Sequence, residues 1–316
     1  MLSYLDDFLL NLQVNNYSKE TIYNYERDLK VFDDFLEKEV KLKDFKKLSK
    51  QTIQQYKAYL TSQDRQTSSE VKADKRLSGG SMNRSLSAVR GYLKYLIEMD
   101  YQCPIAPEAV KLVKTEKKHA QVAELDDLIK LIESPSVLEN NKVVAARNRA
   151  MLEILFSTGM RISELISLNR SQIDHTGRIF IQGKGKKQRF VYLTPRAYKY
   201  LNAYLSLRDD NLTALFIPYR GRNSKDEAGI KKRISTNYLQ ERIKFYREKL
   251  RINVPTSAHS LRHGFATYLA ESGANPAAIQ ILLGHESLDT TTRYVHASDR
   301  YAEKTHHDFH PLKNDK

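Results

Sequence analysis

The sequence has little that would support a secreted, disulfide-stabilised or membrane-spanning protein. It contains one cysteine, Cys103, in 316 residues, so no disulfide can form within the chain, and it has no tryptophan. It also has no run of about 18 apolar residues, which is the length that a transmembrane helix needs. The first residues lack the basic start of a secretory signal peptide. These absences predict a cytoplasmic protein with no membrane partner.

Positive charge is in excess and is unevenly distributed. The formal net charge is +14, but residues 1–105 carry 17 basic and 15 acidic side chains, whereas residues 106–316 carry 35 and 23. A basic C-terminal two-thirds favours a polyanionic partner. Nucleic acid fits better than an anionic membrane surface, because the sequence has no separate basic amphipathic segment.

The apolar periodicity predicts a mainly α-helical chain of two domains. We expect an N-terminal helical domain at residues 1–103, a linker that contains two prolines at 104–118, and a second domain at 119–316. The polar segment at 62–80 predicts a flexible loop inside the first domain.

A clear β-strand signal is confined to residues 178–193. Two short runs rich in apolar and aromatic residues, 178–182 and 189–193, flank the basic segment Gly183-Lys184-Gly185-Lys186-Lys187. This pattern predicts a hairpin with a basic tip. Taken alone the segment is an ordinary turn, since it lacks the complete pattern of a phosphate-binding loop.

Four residues that can bind or attack a phosphate, His259, Arg262, His285 and Tyr294, lie within 36 positions. An arginine binds two phosphate oxygens at once, a histidine transfers protons near neutral pH, and a tyrosine hydroxyl can form a covalent intermediate. His259 and Arg262 are three apart in a predicted helix, so they share one face near its N-terminus, where backbone N–H groups favour an anion. Gly284 is predicted to end the next helix and to place His285 just beyond it.

Each of these residues also has an ordinary explanation when it is taken singly. His259 and His263 have zinc-ligand spacing, but the segment lacks the glutamate of a His-Glu-x-x-His motif, and Arg262 would repel a metal ion. A single tyrosine is most often a core residue. Arg161 and Glu164 form a common i, i+3 surface pair. The functional argument therefore depends on the ordered combination.

That combination resembles the tyrosine recombinase family, in particular its Xer-type recombinases and phage integrases. The resemblance covers nearly the whole chain and implies a mainly α fold with a small β-hairpin, in which a helical, SAM-like core-binding domain precedes a catalytic domain. The residues that carry it are, in order, Arg161 within the segment from Thr158 to Leu165, Lys184 in the hairpin, His259 and Arg262, His285 after Leu283-Gly284, and Tyr294.

The resemblance implies a role for each of these residues. Tyr294 would attack a DNA phosphodiester and leave a 3′-phosphotyrosyl bond with a free 5′-hydroxyl. Arg161, Arg262 and His285 would bind the non-bridging oxygens. His259 would act as base or proton relay for the tyrosine.

A hairpin lysine would protonate the departing 5′-oxygen as a general acid. Lys184 matches this role first, and Lys186 competes with it. No metal and no cofactor are expected. Glu164 is expected to orient a neighbouring basic group.

The implied partners are double-stranded DNA with a specific core site and further recombinase subunits. A homotetramer, or a heterotetramer with a second recombinase, would act on two duplexes. The tail at 299–316 is expected to dock into a neighbouring subunit. The work would be chromosome or plasmid dimer resolution at the nucleoid, or mobile-element integration. The rivals are a type IB topoisomerase and a catalytically silent DNA-binding regulator. Candidate DNA-binding residues are Arg84, Arg90, Lys94, Lys186, Lys187, Lys231, Lys232 and Arg233.

Overall fold

The chain divides into two compact units, Met1–Lys118 and His119–Lys316. In the part of the chain that the structure describes, no helix has both the length and the apolar character that crossing a bilayer would require. Most of the predicted loop at 62–80 and the end of the predicted linker at 104–118 lie outside the described residues. The computed structural model describes residues 2–62, 76–115, 122–182, 188–220 and 232–284.

The described part of the first unit is helical and has its own hydrophobic core. Its second helix begins after Ser18, whose side chain accepts a hydrogen bond from Thr21 N. The apolar stripe that follows is buried at Leu29, Phe32 and Leu36. The helices are α1 (Leu5–Val14), α2 (Lys19–Asp34), α3 (Lys50–Thr61) and α4 (Gly79–Glu98), with short turns of π-helix at Phe35–Glu39 and of 3₁₀-helix at Phe45–Lys47 and Pro107–Ala109.

Helix α4 begins earlier than the sequence predicts. Gly79 and Gly80, which we expected to end the polar loop, form its first turn. The N-cap at Ser78 explains the difference, because its side chain accepts a hydrogen bond from Ser81 N and satisfies an otherwise unpaired donor. Gly79 also packs closely on Thr115, whose Cγ2 would lie 2.8 Å from an added Cβ.

The segment after α4 packs onto the rest of the first unit, with contacts that reach Val113 and Thr115. The turn at Pro107–Ala109 lies against α4, and Val110 is buried. Asn83 makes two hydrogen bonds with the backbone of Val113, donating from Nδ2 to its carbonyl at 3.0 Å and accepting from its N–H at 2.8 Å. These contacts hold the beginning of the predicted linker beside α4.

The second unit, in its described part, is built around the helix Lys142–Thr158, which packs against the helices Pro195–Leu205 and Ala258–Glu271. Its core includes Leu155, Leu165 and Leu201. The helices are α5 (Leu125–Glu133), α6 (Pro135–Leu138), α7 (Lys142–Thr158), α8 (Ile162–Ser167), α9 (Pro195–Leu205), α10 (Thr236–Lys249), α11 (Ala258–Glu271) and α12 (Pro276–Leu283), with a 3₁₀ turn at Arg170–Gln172.

Two strands, β1 (Arg178–Gln182) and β2 (Gln188–Tyr192), form the predicted antiparallel hairpin. The second strand begins one residue earlier than predicted, and Arg189 is paired with Ile181. Gly284 ends α12 as predicted, and Gly159 ends α7 in the same way. Gly159 follows α7 with φ +61°, and Gly284 follows α12 with φ +64°, values that favour glycine because it has no Cβ.

Candidate active site

Three of the six residues that the family resemblance assigns to catalysis lie in the described part of the chain. Arg161 stands at the start of α8, and His259 and Arg262 lie in the first two turns of α11. The other predicted site residues, Lys184, His285 and Tyr294, lie outside the described residues.

Arg161 is placed by a tight turn between α7 and α8. Gly159 allows the chain to reverse, and Glu164 in the first turn of α8 accepts a hydrogen bond from Arg161 N at 2.7 Å. The same carboxylate accepts a bond from Arg161 Nη1 at 3.1 Å. The Arg161 side chain remains 41% exposed, so it can meet a ligand.

Arg262 lies deeper, with 4% of its surface exposed. Ser257 caps α11 by accepting a hydrogen bond from Ser260 N, and the helix packs against α7 and α12. Arg262 then donates from Nη1 to Gly159 O and from Nη2 to Leu283 O, both at 2.8 Å. These bonds join the ends of two other helices to α11.

Arg189 is a member of this cluster that the sequence did not reveal. It lies on β2, is 9% exposed, and donates from Nη1 and Nη2 to the two carboxylate oxygens of Glu164 at 2.9 and 2.7 Å. Its Nε donates to Leu282 O at 2.9 Å. Burial opposes ionisation of Glu164, but the hydrogen bonds from Arg189 and from Arg161 N outweigh it and lower the pKa of this carboxyl.

The three arginines converge on successive carbonyls at the end of α12. Arg189 binds Leu282 O and Arg262 binds Leu283 O, while Arg161 Nη2 lies 3.5 Å from Gly284 O. Positive charge is favourable at a helix C-terminus, where carbonyls lack partners. The cluster therefore assembles directly before His285 in the sequence.

His259 lies at the surface beside His263, and their Nε2 atoms are 2.8 Å apart. One ring must donate at this contact and the other accept, so the accepting ring carries its proton on Nδ1. Desolvation, followed by the charges of Arg262 and Arg161, lowers the pKa of His259. Desolvation and the charges of His259 and Arg262 lower the pKa of His263 to about 4. Both rings are thus suited to be neutral at pH 7.

The predicted DNA-binding residues fall into distinct environments. On α4, Arg84 makes two hydrogen bonds to the buried carboxylate of Asp28, at 2.7 and 3.2 Å, whereas Lys94 is exposed and Arg90 half-buried. Arg233 donates to the carbonyls of Ser167 and Leu168 at the end of α8. Lys232 is half-buried. Three further candidates, Lys186, Lys187 and Lys231, lie outside the described residues.

The described cluster has the chemistry of an anion site. Arg161 offers an exposed guanidinium fork, Arg262 adds a second charge, and His259 offers a neutral imidazole that can accept a proton. Such a group can bind phosphate oxygens and stabilise the charge that develops on them during phosphoryl transfer.

The chain is similar to known proteins over nearly its whole length. The model of the Phage integrase family matches residues 121–300, and that of the Phage integrase, N-terminal SAM-like domain matches residues 5–99. Tyrosine recombinase XerD of Staphylococcus epidermidis is 32% identical over 319 residues, covering 98% of this chain and 99% of that protein. XerD of Staphylococcus aureus is 31% identical over 320 residues, with coverage of 98% and 99%.

Solved structures share the fold. The crystal structure of XerH recombinase bound to difH substrate aligns with a TM-score of 0.68 at 23% identity, covering 96% of this chain and 83% of that one. A lambda integrase dimer bound to a core site aligns with a TM-score of 0.68 at 16% identity, covering 94% and 77%. The chain therefore belongs to the phage integrase family and is a site-specific tyrosine recombinase of the Xer type.

Proposed function

We propose that this recombinase cuts DNA through Tyr294, which attacks a phosphodiester and forms a 3′-phosphotyrosyl bond while a 5′-hydroxyl departs. Arg161 and Arg262, with His285, hold the non-bridging oxygens as phosphorus becomes five-coordinate. Each such group is expected to contribute about 10²–10³-fold to the rate.

Proton transfers complete the step without a metal ion. His259 takes the phenolic proton directly or through a relay, and Lys184 or Lys186 protonates the leaving 5′-oxygen. Because the bond energy is retained in the phosphotyrosine, a 5′-hydroxyl of another strand can reverse the attack without ATP.

One observation carries this proposal. Arg161 and Arg262 start from different helices, yet they bind neighbouring carbonyls at the end of α12, immediately before His285. Their charges also act together on His259. Arg161 and Arg262 are thus close in space although they are about 100 residues apart in sequence. Two side chains that bind one phosphate must be close in this way.

The partners that we propose are double-stranded DNA with a specific core site and other recombinase subunits. The XerH structure is a complex with difH substrate, and the lambda integrase dimer is bound to a core site. We propose that four subunits, identical or paired with a second recombinase, act on two duplexes, and that residues 299–316 of one subunit dock into the next. Chromosome or plasmid dimer resolution at the nucleoid, or integration of a mobile element, would use this reaction.

We propose the first unit as a DNA clamp, with residues 1–103 as the domain and 104–118 as its linker to residues 119–316. The exposed Lys94 on α4 supports this role. Arg84 is already paired with Asp28, so it supplies less free charge to a phosphate.

The experiment that tests the proposal is covalent capture. Sheared genomic DNA of the host is incubated with the protein, and fragments that stay attached after denaturation in detergent are recovered and sequenced. Wild type should retain a common core sequence, and Tyr294→Phe should bind the same duplex but retain none. Tyr192→Phe, which changes an exposed tyrosine of β2, is the matched control and should capture DNA as wild type does. Capture by Tyr294→Phe would assign the nucleophile to another residue.

A further inference from the structure

We propose that Arg189 is a positioning residue of the recombination site: it ties β2 to Glu164 and to the end of α12, and it thereby fixes the orientation of Arg161 and of the chain that leads to His285. The inference rests on the proposed function, because this orientation matters only if the cluster holds the scissile phosphate. It assigns a role to an arginine that lies outside the set of residues proposed to touch DNA.

The hydrogen bonds of Arg189 are directed into the protein. Both terminal nitrogens bind Glu164, and Nε binds the carbonyl of Leu282. Both charged side chains of the pair are buried, at 9% exposure for Arg189 and 7% for Glu164. A buried guanidinium that is neutralised in this way contributes geometry rather than net positive charge.

Glu164 transmits the position of Arg189 to Arg161. One carboxylate oxygen, Oε1, accepts from both Arg189 Nη1 and Arg161 Nη1, and the other, Oε2, accepts from Arg189 Nη2 and from Arg161 N. Without the fork of Arg189, the buried carboxylate would lose two of its four hydrogen bonds. It would then be expected to rotate towards Arg161, and the exposed guanidinium would turn with it.

A second link runs from Arg189 to the end of α12. Gly284 has left-handed backbone, and a Cβ there would lie 3.0 Å from both Cδ and Nη1 of Arg189. The arginine side chain therefore lies directly on the Cα of the residue before His285, while its Nε holds Leu282 O. Both contacts set the direction in which the chain leaves α12.

The third link is the strand itself. Arg189 is the second residue of β2 and pairs with Ile181 of β1. It follows the basic hairpin segment by two residues, so the base of the hairpin is joined through one side chain to α8 and α12. This connection ties the strand that follows the basic hairpin segment to Arg161 and Arg262.

The test is Arg189→Lys, which keeps the charge but removes the planar fork. Its matched control is Arg208→Lys. The side chain of Arg208 is also buried, binds the carboxylate of Asp210, and donates to the carbonyls of Ala214 and Leu215 at 2.7 and 2.8 Å. The probe is the duplex that wild type captures from genomic DNA. Covalent adduct formation in a single turnover is measured at saturating protein, and Kd is measured on the same duplex.

We expect Arg189→Lys to slow adduct formation by about 10²-fold, the size expected when a reacting group is displaced by about 1 Å, and to leave Kd unchanged. Arg208→Lys should lower the melting temperature but not the rate. In an Arg161→Lys background the effect of Arg189→Lys should shrink, because the two act through one group. A wild-type rate for Arg189→Lys, or equal rate losses in Arg189→Lys and Arg208→Lys, would overturn the inference. If the effects of Arg189→Lys and Arg161→Lys on the rate add in full, the link to Arg161 is overturned.

A paired variant guards against a folding defect. Glu164→Gln with Arg189→Gln removes both charges together and so leaves no unpaired buried ion. It should fold, bind the duplex and still cleave slowly, whereas wild-type cleavage would reject the positioning role. If wild type itself forms no adduct, the proposed function fails; a wild-type adduct with an unaffected Arg189→Lys rejects the positioning role alone.

Discussion

The turn between α7 and α8 offers a sharp test of how the site is assembled. Gly159 has φ +61°, and a Cβ added there would lie 2.3 Å from Cδ1 and 2.7 Å from Cε1 of Phe265. Phe265 is on α11, three residues after Arg262, and the carbonyl of Gly159 accepts a hydrogen bond from Arg262 Nη1 at 2.8 Å. Gly159→Ala should therefore strain the backbone and push α11 away from the turn.

The expected magnitude has two parts. A side chain in left-handed backbone costs about 1 kcal/mol, and forcing a methyl group into a packed contact adds about 2 kcal/mol. The sum of about 3 kcal/mol corresponds to a fall in Tm of about 6–12 °C for a unit of this size.

Gly177→Ala is the matched control. Gly177 also has left-handed backbone, at φ +78°, but its nearest neighbour to an added Cβ is Leu193 Cβ at 3.3 Å. The backbone cost of about 1 kcal/mol is the main cost there, so Tm should fall by about 2–4 °C.

Thermal unfolding of the full chain, followed by circular dichroism, measures both variants. Phe265→Leu should destabilise the wild type but recover part of the stability of Gly159→Ala, because the smaller side chain leaves space for the methyl group. Equal losses at Gly159 and Gly177, or the absence of any recovery in the double variant, would refute the proposed contact between α11 and the turn.

Three further predictions concern pH, salt and α4. The pKa of His263, lowered from 6.5 to about 4, means that the folded chain binds fewer protons than the unfolded chain between these values; stability should fall as pH drops through this window, and His263→Gln should flatten the dependence of the urea midpoint on pH. DNA affinity, measured by fluorescence anisotropy, should fall steeply between about 50 and 200 mM salt, and a flat response would contradict phosphate binding by many basic residues. Lys94→Gln should weaken DNA binding and leave Tm unchanged. Arg84→Gln should lower Tm, because the buried carboxylate of Asp28 would lose the hydrogen bonds of Arg84. The reverse pattern would exclude Lys94 from the DNA contact.

The helices and their ends were largely predictable because the signals for them are local. Ser257, Asn275 and Pro276 mark helix starts and Gly159 and Gly284 mark helix ends, and each acts through the backbone of its own turn. Family resemblance, rather than local pattern, indicated that Arg161 belongs with the residues of α11.

Arg189 was not predictable in the same way. Its role depends on a strand, a helix start and a helix end that meet only in the folded unit. The alternation along β2 is also misleading, since Phe190 and Tyr192 are exposed while Arg189 and Val191 are buried. The sequence nevertheless carried a signal for this pair. A buried arginine requires a carboxylate partner, and Glu164 was already expected to orient a basic group.

The row of carbonyls at the end of α12 has a consequence for how the enzyme meets DNA. Three like charges repel one another, and gathering them would ordinarily require a polyanion. Here Glu164 and three backbone oxygens offset that repulsion within the protein. The work of assembling these three cations is thus done when the chain folds, and under the function that we propose a phosphate would meet guanidinium groups that are already gathered.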